Sequence, residues 1–126
     1  MIVVDAANVV GSRPNGWWRD RAKAAAGLCS GLVDSLDAGR LEPPVVVVLE
    51  GAARQGLGEQ EANGLRVVHA PGSGDDTIAE VVVRAVADGH TVTVVTADRG
   101  LRDRVARRGA EVVGPRWLLD RVEAPA

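Results

Sequence analysis

Acidic residues follow several short apolar runs of the sequence, at points where a buried strand would end. Asp5 follows IVV, Glu50 follows VVVVL, and Asp98 follows TVTVV after a Thr-Ala dipeptide. The adjacent pair Asp75 and Asp76 follows LRVV and the loop HAPGSG. Carboxylates that come together repel one another unless a cation neutralises their charge, and carboxylate oxygens suit Mg²⁺ or Mn²⁺. The pattern therefore predicts a divalent-metal site if the fold brings these acids to one place.

The same acids also have local interpretations that involve no metal. An isolated acid after a strand is commonly a turn former or a helix N-cap. Within GDDTIAE we expect Asp75 to cap a helix, while T-x-x-E at Thr77 and Glu80 is an alternative capping box. Asp76 and Glu80 are four residues apart and would share one helix face. Asp76 is then the candidate metal ligand, with Glu80 as its support or as a further ligand.

Val-rich runs without strict alternation predict the strands of a parallel sheet that is covered on both faces. They lie at 2–4, 45–49, 65–68, 91–95 and, as a shorter run, 111–113. Parallel α/β sheets bind ligands beyond the C-terminal ends of their strands, where the strand order reverses. We therefore expect the acids that follow the first four runs to meet at that edge.

Helical patterns separate most of these runs. They cover 17–36, 75–87, 99–108 and 115–122, while 51–64 reads as a loop with one short helix. Strands that alternate with helices predict an α/β fold, here a three-layer sandwich with a central parallel sheet of four to five strands. A length of 126 residues without a linker or repeat predicts a single domain over 1–126.

Composition indicates a globular protein, with 46% hydrophobic and 25% charged residues. There are three Trp but no Phe or Tyr, so the core must consist of Val, Leu, Ile and Ala. The single cysteine, Cys29, excludes an intramolecular disulfide. No apolar run approaches the ~20 residues of a membrane span and no signal-peptide pattern is seen, so we expect a cytoplasmic protein. The net charge of −2 gives no overall attraction to nucleic acid, although arginine supplies nearly all the positive charge.

Four segments, VVDAANVVGSR, VVVVLEG, GDDTIAEVV and VTVVTADRGL, resemble in this order the NYN branch of the PIN-like ribonuclease superfamily, and its YacP-like group in particular. The resemblance extends from Ile2 to about Trp117. Its most specific parts are D-x-x-N after the first strand and T-x-D-R after the fourth. In that family, acids at these places bind a divalent metal for hydrolysis of RNA phosphodiester bonds. The resemblance implies catalytic roles for Asp5, Asn8, Asp76 and Asp98.

The chain departs from the family pattern in two places. Ala6-Ala7 stands in the first motif where related sequences often have Gly-Tyr or a Gly-Ala-like pair, and Glu50 stands where an Asp is expected. The implied function is that of a divalent-metal-dependent endoribonuclease. One or two Mg²⁺ or Mn²⁺ ions would be bound by Asp5, Asp76 and Asp98, with Glu50 bridging through water. Asn8 would hold a ligand or a substrate oxygen, or else act as a helix cap or turn residue.

Three further residues are candidates for binding single-stranded RNA. Arg13 and Arg99 could contact phosphate, and Trp17 could stack on a base. Arg99 has an alternative role in an ion pair with Asp98 or Asp103. Trp17 and Trp18 are adjacent and point in different directions on a helix, so we expect one of them to pack in the core. A partner such as the ribosome could present the RNA.

Other function classes use the same kind of fold. One alternative is a non-catalytic RNA-binding or interaction module with a degenerate site, which Glu50 and the lack of a strongly basic surface would suit. A phosphoacceptor receiver domain needs an acidic pair after the first strand and a lysine after the fifth, and this chain has neither. A phosphatase with a D-x-D nucleophile motif is disfavoured because Asp5 is followed by Ala-Ala.

Overall fold

A six-stranded sheet forms the middle layer of the computed structural model, which describes residues 1–123. The strands are β1 Ile2–Asp5, β2 Val45–Leu49, β3 Gln60–Ala62, β4 Leu65–His69, β5 Thr93–Val95 and β6 Glu111–Val113. Their order is β3-β4-β2-β1-β5-β6, and every neighbouring pair is parallel except β3 with β4. The expected α/β sandwich is confirmed, with one strand more than the predicted four to five. Residues 124–126, the end of the predicted domain, lie outside the described residues.

Helices cover both faces of the sheet. They are α1 Ala6–Gly11, α2 Arg21–Asp37, α3 Gly74–Ala87, α4 Arg99–Ala106 and α5 Pro115–Val122, with 3₁₀ helices at Trp17–Arg19 and Gly51–Gly56. Buried residues of α1, α2 and α5 pack in one hydrophobic cluster, and those of α3 and α4 pack in a second cluster on the other face. Among the described residues, no helix is both long and apolar enough to cross a bilayer.

The valine run of β2 shows why the central strands lack alternation. Val45, Val47 and Leu49 belong to the cluster under α1, α2 and α5, whereas Val46 and Val48 belong to the cluster under α3 and α4. All five side chains are buried. A strand with an apolar layer on each side must be apolar at every position, and β-branched residues suit it.

The segment 51–64 contains more structure than the predicted loop with one short helix. A 3₁₀ helix is present at Gly51–Gly56, but a hairpin follows, in which β3 runs antiparallel to β4. Asn63 and Gly64 both have positive φ, at 55° and 85°. A two-residue Asn-Gly turn of this kind favours a tight hairpin, so N-G was the available signal for β3.

Two helix starts differ from the predictions. The predicted helix from Trp17 begins instead as the 3₁₀ turn, and α2 starts at Arg21. Helix α3 is capped by Ser73, whose side chain accepts a hydrogen bond from the Asp75 N–H at 3.2 Å. The expected cap at Asp75 and the alternative box starting at Thr77 are therefore both wrong. Ser73 fits the S-x-x-D spacing of a capping box, a signal that the Asp pair obscured.

The topology fixes where a ligand site can form. From β1 the chain proceeds outward through β2 to β4, and α3 then carries it back across the sheet to β5 and β6. The strand order thus reverses between β1 and β5. The C-terminal ends of these two strands border the crevice in which parallel α/β sheets bind ligands.

Gly56 provides a test of the packing between α2 and the 3₁₀ helix after β2. A Cβ at Gly56 would lie 2.2 Å from the Ala22 carbonyl oxygen and 3.1 Å from the Ala26 nitrogen. Backbone atoms of a helix cannot move aside, so we expect Gly56→Ala to lower the free energy of unfolding by about 1–3 kcal/mol. Urea unfolding would measure this change. Gly58→Ala is the control, because its Cβ would meet no atom within 4 Å; equal losses in both variants would contradict the packing described.

Candidate active site

Asp5 lies at the end of the central strand β1 and is only 5% exposed. Its Oδ1 accepts the Asn8 N–H at 3.3 Å, which makes Asp5 the N-cap of α1. Its Oδ2 accepts the Thr96 hydroxyl at 3.0 Å. Both carboxylate oxygens are therefore held, one by the following helix and one by the neighbouring strand.

Thr96 links Asp5 to the second acid, Asp98. The buried Thr96 hydroxyl donates to Asp5 and accepts the Asp98 N–H at 3.2 Å. Asp98 is the N-cap of α4, and its Oδ1 accepts the Leu101 N–H at 2.8 Å, while the residue is otherwise exposed. The T-x-D spacing therefore places one hydroxyl between two acids of adjacent strands.

Asn8 joins the same two strand ends by a separate contact. Its Oδ1 accepts the Ala97 N–H at 2.8 Å, across 89 residues of sequence. The helix that carries Asn8 was not predicted, and Asn8 lies inside it instead of capping it or forming a turn. The side-chain amide oxygen of Asn8 fixes the loop between β5 and α4, so Asn8 positions Asp98.

Glu50 follows β2 and reaches the N-terminus of α3. Its Oε2 accepts the Gly74 N–H at 3.1 Å, one of the free donors at that helix end. A Cβ at Gly74 would lie 2.9 Å from the Glu50 Oε1, so glycine allows this approach. The contact brings the start of α3, and with it Asp75, to the edge of the sheet.

Asp75 and Asp76 point to different neighbours, since successive helical residues lie about 100° apart. The exposed Asp76 accepts a hydrogen bond from the Arg104 guanidinium at 2.7 Å. Asp75 is partly buried, and its pKa is raised by that burial and by repulsion from Asp98 and Glu50. Of the two, Asp75 is the acid whose charge interacts with Asp98 and Glu50, whereas Asp76, the predicted ligand, links α3 to α4 through Arg104.

Asp5, Glu50, Asp75 and Asp98 form what we call the acid cluster. Burial raises the pKa of Asp5, the Thr96 and Asn8 hydrogen bonds lower it, and repulsion from Asp75 and Glu50 raises it again, with a net upward shift. Burial is the largest of these causes, and repulsion within the cluster adds to it. A cation at this edge would relieve the repulsion.

The donor chemistry of the acid cluster fits a hydrated divalent cation. Within residues 1–123, no three Asp, Glu, His or Cys side chains converge closely enough to enclose an ion. Mg²⁺ does not require such a cage, because it keeps several waters and commonly takes only one or two carboxylates directly. The four carboxylates thus suit an ion that is held partly through water.

The predicted RNA-binding residues are dispersed around this edge. Arg13 follows α1 and forms an ion pair with Glu123 instead of remaining free. Arg99 is the exposed first residue of α4, and within residues 1–123 it forms no ion pair, so the alternative pairs with Asp98 and Asp103 are absent. Glu80 is exposed on α3 and does not belong to the acid cluster.

Neither of the adjacent tryptophans lies in the buried core, contrary to the expectation that one would. Trp18 is 55% exposed, and Trp17 is half-buried beside Gly11. Their rings meet edge to face, with centroids 6.4 Å apart. The 3₁₀ turn between α1 and α2 holds both rings at the surface, so Trp17 remains accessible to a ligand.

Comparisons with known proteins agree with this architecture. The family model for the YacP-like NYN domain matches residues 2–126. Among solved structures, the chain is similar to the crystal structure of Rae1 (YacP) from Bacillus subtilis, with 20% identity and a TM-score of 0.61 over 98% of this chain and 73% of that one. A tryptophan-to-leucine mutant of the same protein gives 18% identity and a TM-score of 0.66 over 97% and 73%. No curated protein matches the sequence. The chain belongs to the YacP-like NYN domain family of the PIN-like ribonuclease superfamily.

Proposed function

We propose that this protein is a divalent-metal-dependent endoribonuclease that hydrolyses phosphodiester bonds in single-stranded RNA. The observation that supports the proposal most is that Asp5, Glu50, Asp75 and Asp98 lie at one edge of the sheet, at the reversal of strand order, where their charges interact. Membership of a ribonuclease superfamily agrees with it. RNA presented by a larger partner such as the ribosome is the substrate form that we expect, because the domain is small and its loops are short.

The acid cluster would hold the cofactor, Mg²⁺ or Mn²⁺, through one or two of the carboxylates of Asp5, Asp75 and Asp98 directly and through water to the others and to Glu50. The bound cation would make a water molecule more acidic and would stabilise negative charge on the phosphate oxygens. Thr96 keeps the Asp5 carboxylate in place, and Asn8 keeps the loop before Asp98 in place. These hydrogen bonds hold the acids in position before the substrate binds, which electrostatic catalysis requires.

Arginines of α4 provide positive charge next to the acid cluster. Arg99 stands directly after Asp98, and α4 also carries Arg102 and Arg104, of which only Arg104 forms an ion pair within residues 1–123. We assign Arg99 to a substrate phosphate. Arg13 would have to break its ion pair with Glu123 before it could bind phosphate, so its contribution to RNA binding would be smaller.

A non-catalytic RNA-binding module is the second candidate. Two observations favour it. Within residues 1–123 no three acids enclose an ion, and the Glu50 carboxylate already accepts a hydrogen bond from the Gly74 N–H. Such a module would bind RNA without cutting it and without a measurable response to Mn²⁺. The two experiments below separate the candidates.

The adjacent acids of α3 give a matched pair for the first experiment. We expect Asp75→Asn to reduce Mn²⁺-dependent cleavage of labelled single-stranded RNA by about 10²–10³-fold, comparable to loss of a strong electrostatic catalytic group. Asp76→Asn should retain most of the activity, because its partner is Arg104 outside the acid cluster. Gel analysis of cleavage rates under single-turnover conditions would measure both.

The reverse result, with Asp76→Asn inactive and Asp75→Asn active, would contradict the assignment of Asp75. Wild-type protein that binds RNA but does not cut it with Mg²⁺ or Mn²⁺ would reject the nuclease and favour the binding module.

The raised pKa of Asp5 predicts a stability effect. Because the folded state raises this pKa above 3.8, the stabilising contribution of the carboxyl is complete only below pH 3.8 and is lost as pH rises through the folded pKa. Asp5 therefore makes the metal-free fold less stable above its folded pKa than below it. We expect Asp5→Asn to raise the metal-free Tm by a few degrees, and Mn²⁺ to raise the Tm of wild type more than that of the variant.

Asp20→Asn is the matched control for this measurement. Asp20 is also an N-cap, accepting the Lys23 N–H at 2.9 Å, but it is exposed and lies outside the acid cluster. Asn and Asp cap helices about equally well, so its Tm should change little. A lower metal-free Tm for Asp5→Asn would contradict the destabilising effect of the carboxylate, and equal Mn²⁺ shifts in wild type and Asp5→Asn would show that Asp5 does not bind the ion.

A further inference from the structure

A cavity of about 380 Å³ opens beside the acid cluster. Glu50 lines it, and so do the first residues of α1 directly after Asp5. The other small residues of its wall are Ala25, Ala53, Gly51 and Gly72. Because these side chains are short or absent, the chain itself leaves this space empty next to the proposed metal ligands.

One side of the cavity is formed by Trp17 and Arg21. Trp17 is half-buried, and the Arg21 Cζ lies 5.3 Å from the centroid of its ring. Arg21 is exposed at the start of α2, and within residues 1–123 it forms no ion pair. The wall therefore combines an aromatic ring with a planar cation, the two kinds of side-chain surface on which RNA bases stack.

The lining selects the class of ligand. A phosphate would meet a mostly apolar wall and the negative charge of Glu50, so it is disfavoured inside the cavity. A flat heteroaromatic ring can pack against Trp17 and Arg21, and its N–H groups can reach the carboxylate, which accepts hydrogen bonds only. The volume lies within the range of about 300–1,000 Å³ that small-molecule pockets have.

We propose that this cavity is a nucleobase pocket, which binds the base of a nucleotide next to the scissile phosphate. The inference rests on the proposed function for its substrate, since the pocket shares Glu50 with the acid cluster. The pocket adds a second element of recognition: the acid cluster would bind the phosphate through its cation, and the pocket would bind one base. Binding in the pocket would position the backbone over the acids.

Fluorescence of Trp17 tests the pocket without any need for cleavage. The chain has three tryptophans, so Trp18→Phe with Trp117→Phe leaves Trp17 as the sole Trp fluorophore. We expect a single-stranded RNA hexamer, with Mn²⁺ present to occupy the acid cluster, to change this fluorescence saturably on mixing. A hexamer of abasic ribose phosphates, which has equal charge but no bases, should bind about tenfold more weakly, in line with the loss of one stacked base.

The outcomes distinguish this inference from the proposed function. If anisotropy shows that labelled RNA binds while Trp17 fluorescence does not respond, or if the abasic hexamer gives an equal response, the pocket is rejected and the nuclease proposal stands. If RNA is neither bound nor cut, both proposals fail. A base-dependent response in a protein that does not cut RNA would retain the pocket and reject the nuclease.

Two glycines provide a variant that fills the pocket and a matched control that does not. A Cβ at Gly72 or at Gly58 would meet no atom within 4 Å, and neither residue has positive φ, but only Gly72 lines the cavity. We expect Gly72→Leu to weaken RNA binding about tenfold with an unchanged Tm, and Gly58→Leu to bind as wild type. Equal affinities of the two variants would overturn the pocket.

Discussion

The carboxylate of Asp5, buried at the end of the central strand, is the constraint on which the rest of the site depends. A buried carboxylate is unfavourable unless it is hydrogen-bonded, and two partners satisfy it here: the N–H of Asn8 and the hydroxyl of Thr96. One partner lies in the first turn of α1 and the other directly follows β5. Satisfying one side chain therefore joins two parallel strands at the reversal of strand order, and the Asn8 contact with Ala97 reinforces the same junction.

Helix capping and the proposed chemistry use the same residues in this protein. Asp5 and Asp98 each cap a helix with one oxygen, and Glu50 takes a free N–H at the start of α3. Capping is often treated as an alternative to a functional role for an acid, but here it is the means of placement. A hydrogen bond to a helix N-terminus fixes a carboxylate in one orientation, and the helix dipole offsets part of its charge. Such an acid can lie near others without unfolding the site.

Small residues determine how much space surrounds the Glu50 carboxylate. Gly74 allows the Glu50 carboxylate to approach α3, and alanines and glycines of α1, α2 and the segments after β2 and β4 line a cavity that Glu50 also lines. A larger side chain at either place would displace an acid or close the space. The departure Ala6-Ala7 in the first motif belongs to this group, because both residues line the cavity. The acid cluster and the cavity thus share Glu50.

Much of the fold could be predicted from sequence because burial on two faces requires apolar residues at every position, and the Val-rich runs show this directly. The sequence also determined that acids follow the strands, and parallel strands end at one edge, so the candidate site at that edge follows from local pattern. It did not determine which of Asp75 and Asp76 faces the edge. That choice depends on where α3 begins, and the Ser73 cap and the Glu50 contact with Gly74 set the rotation of the helix. The hairpin of β3, the bridging role of Thr96 and the cavity beside Trp17 depend likewise on contacts between residues that are distant in the chain, and only the tertiary structure brings them together.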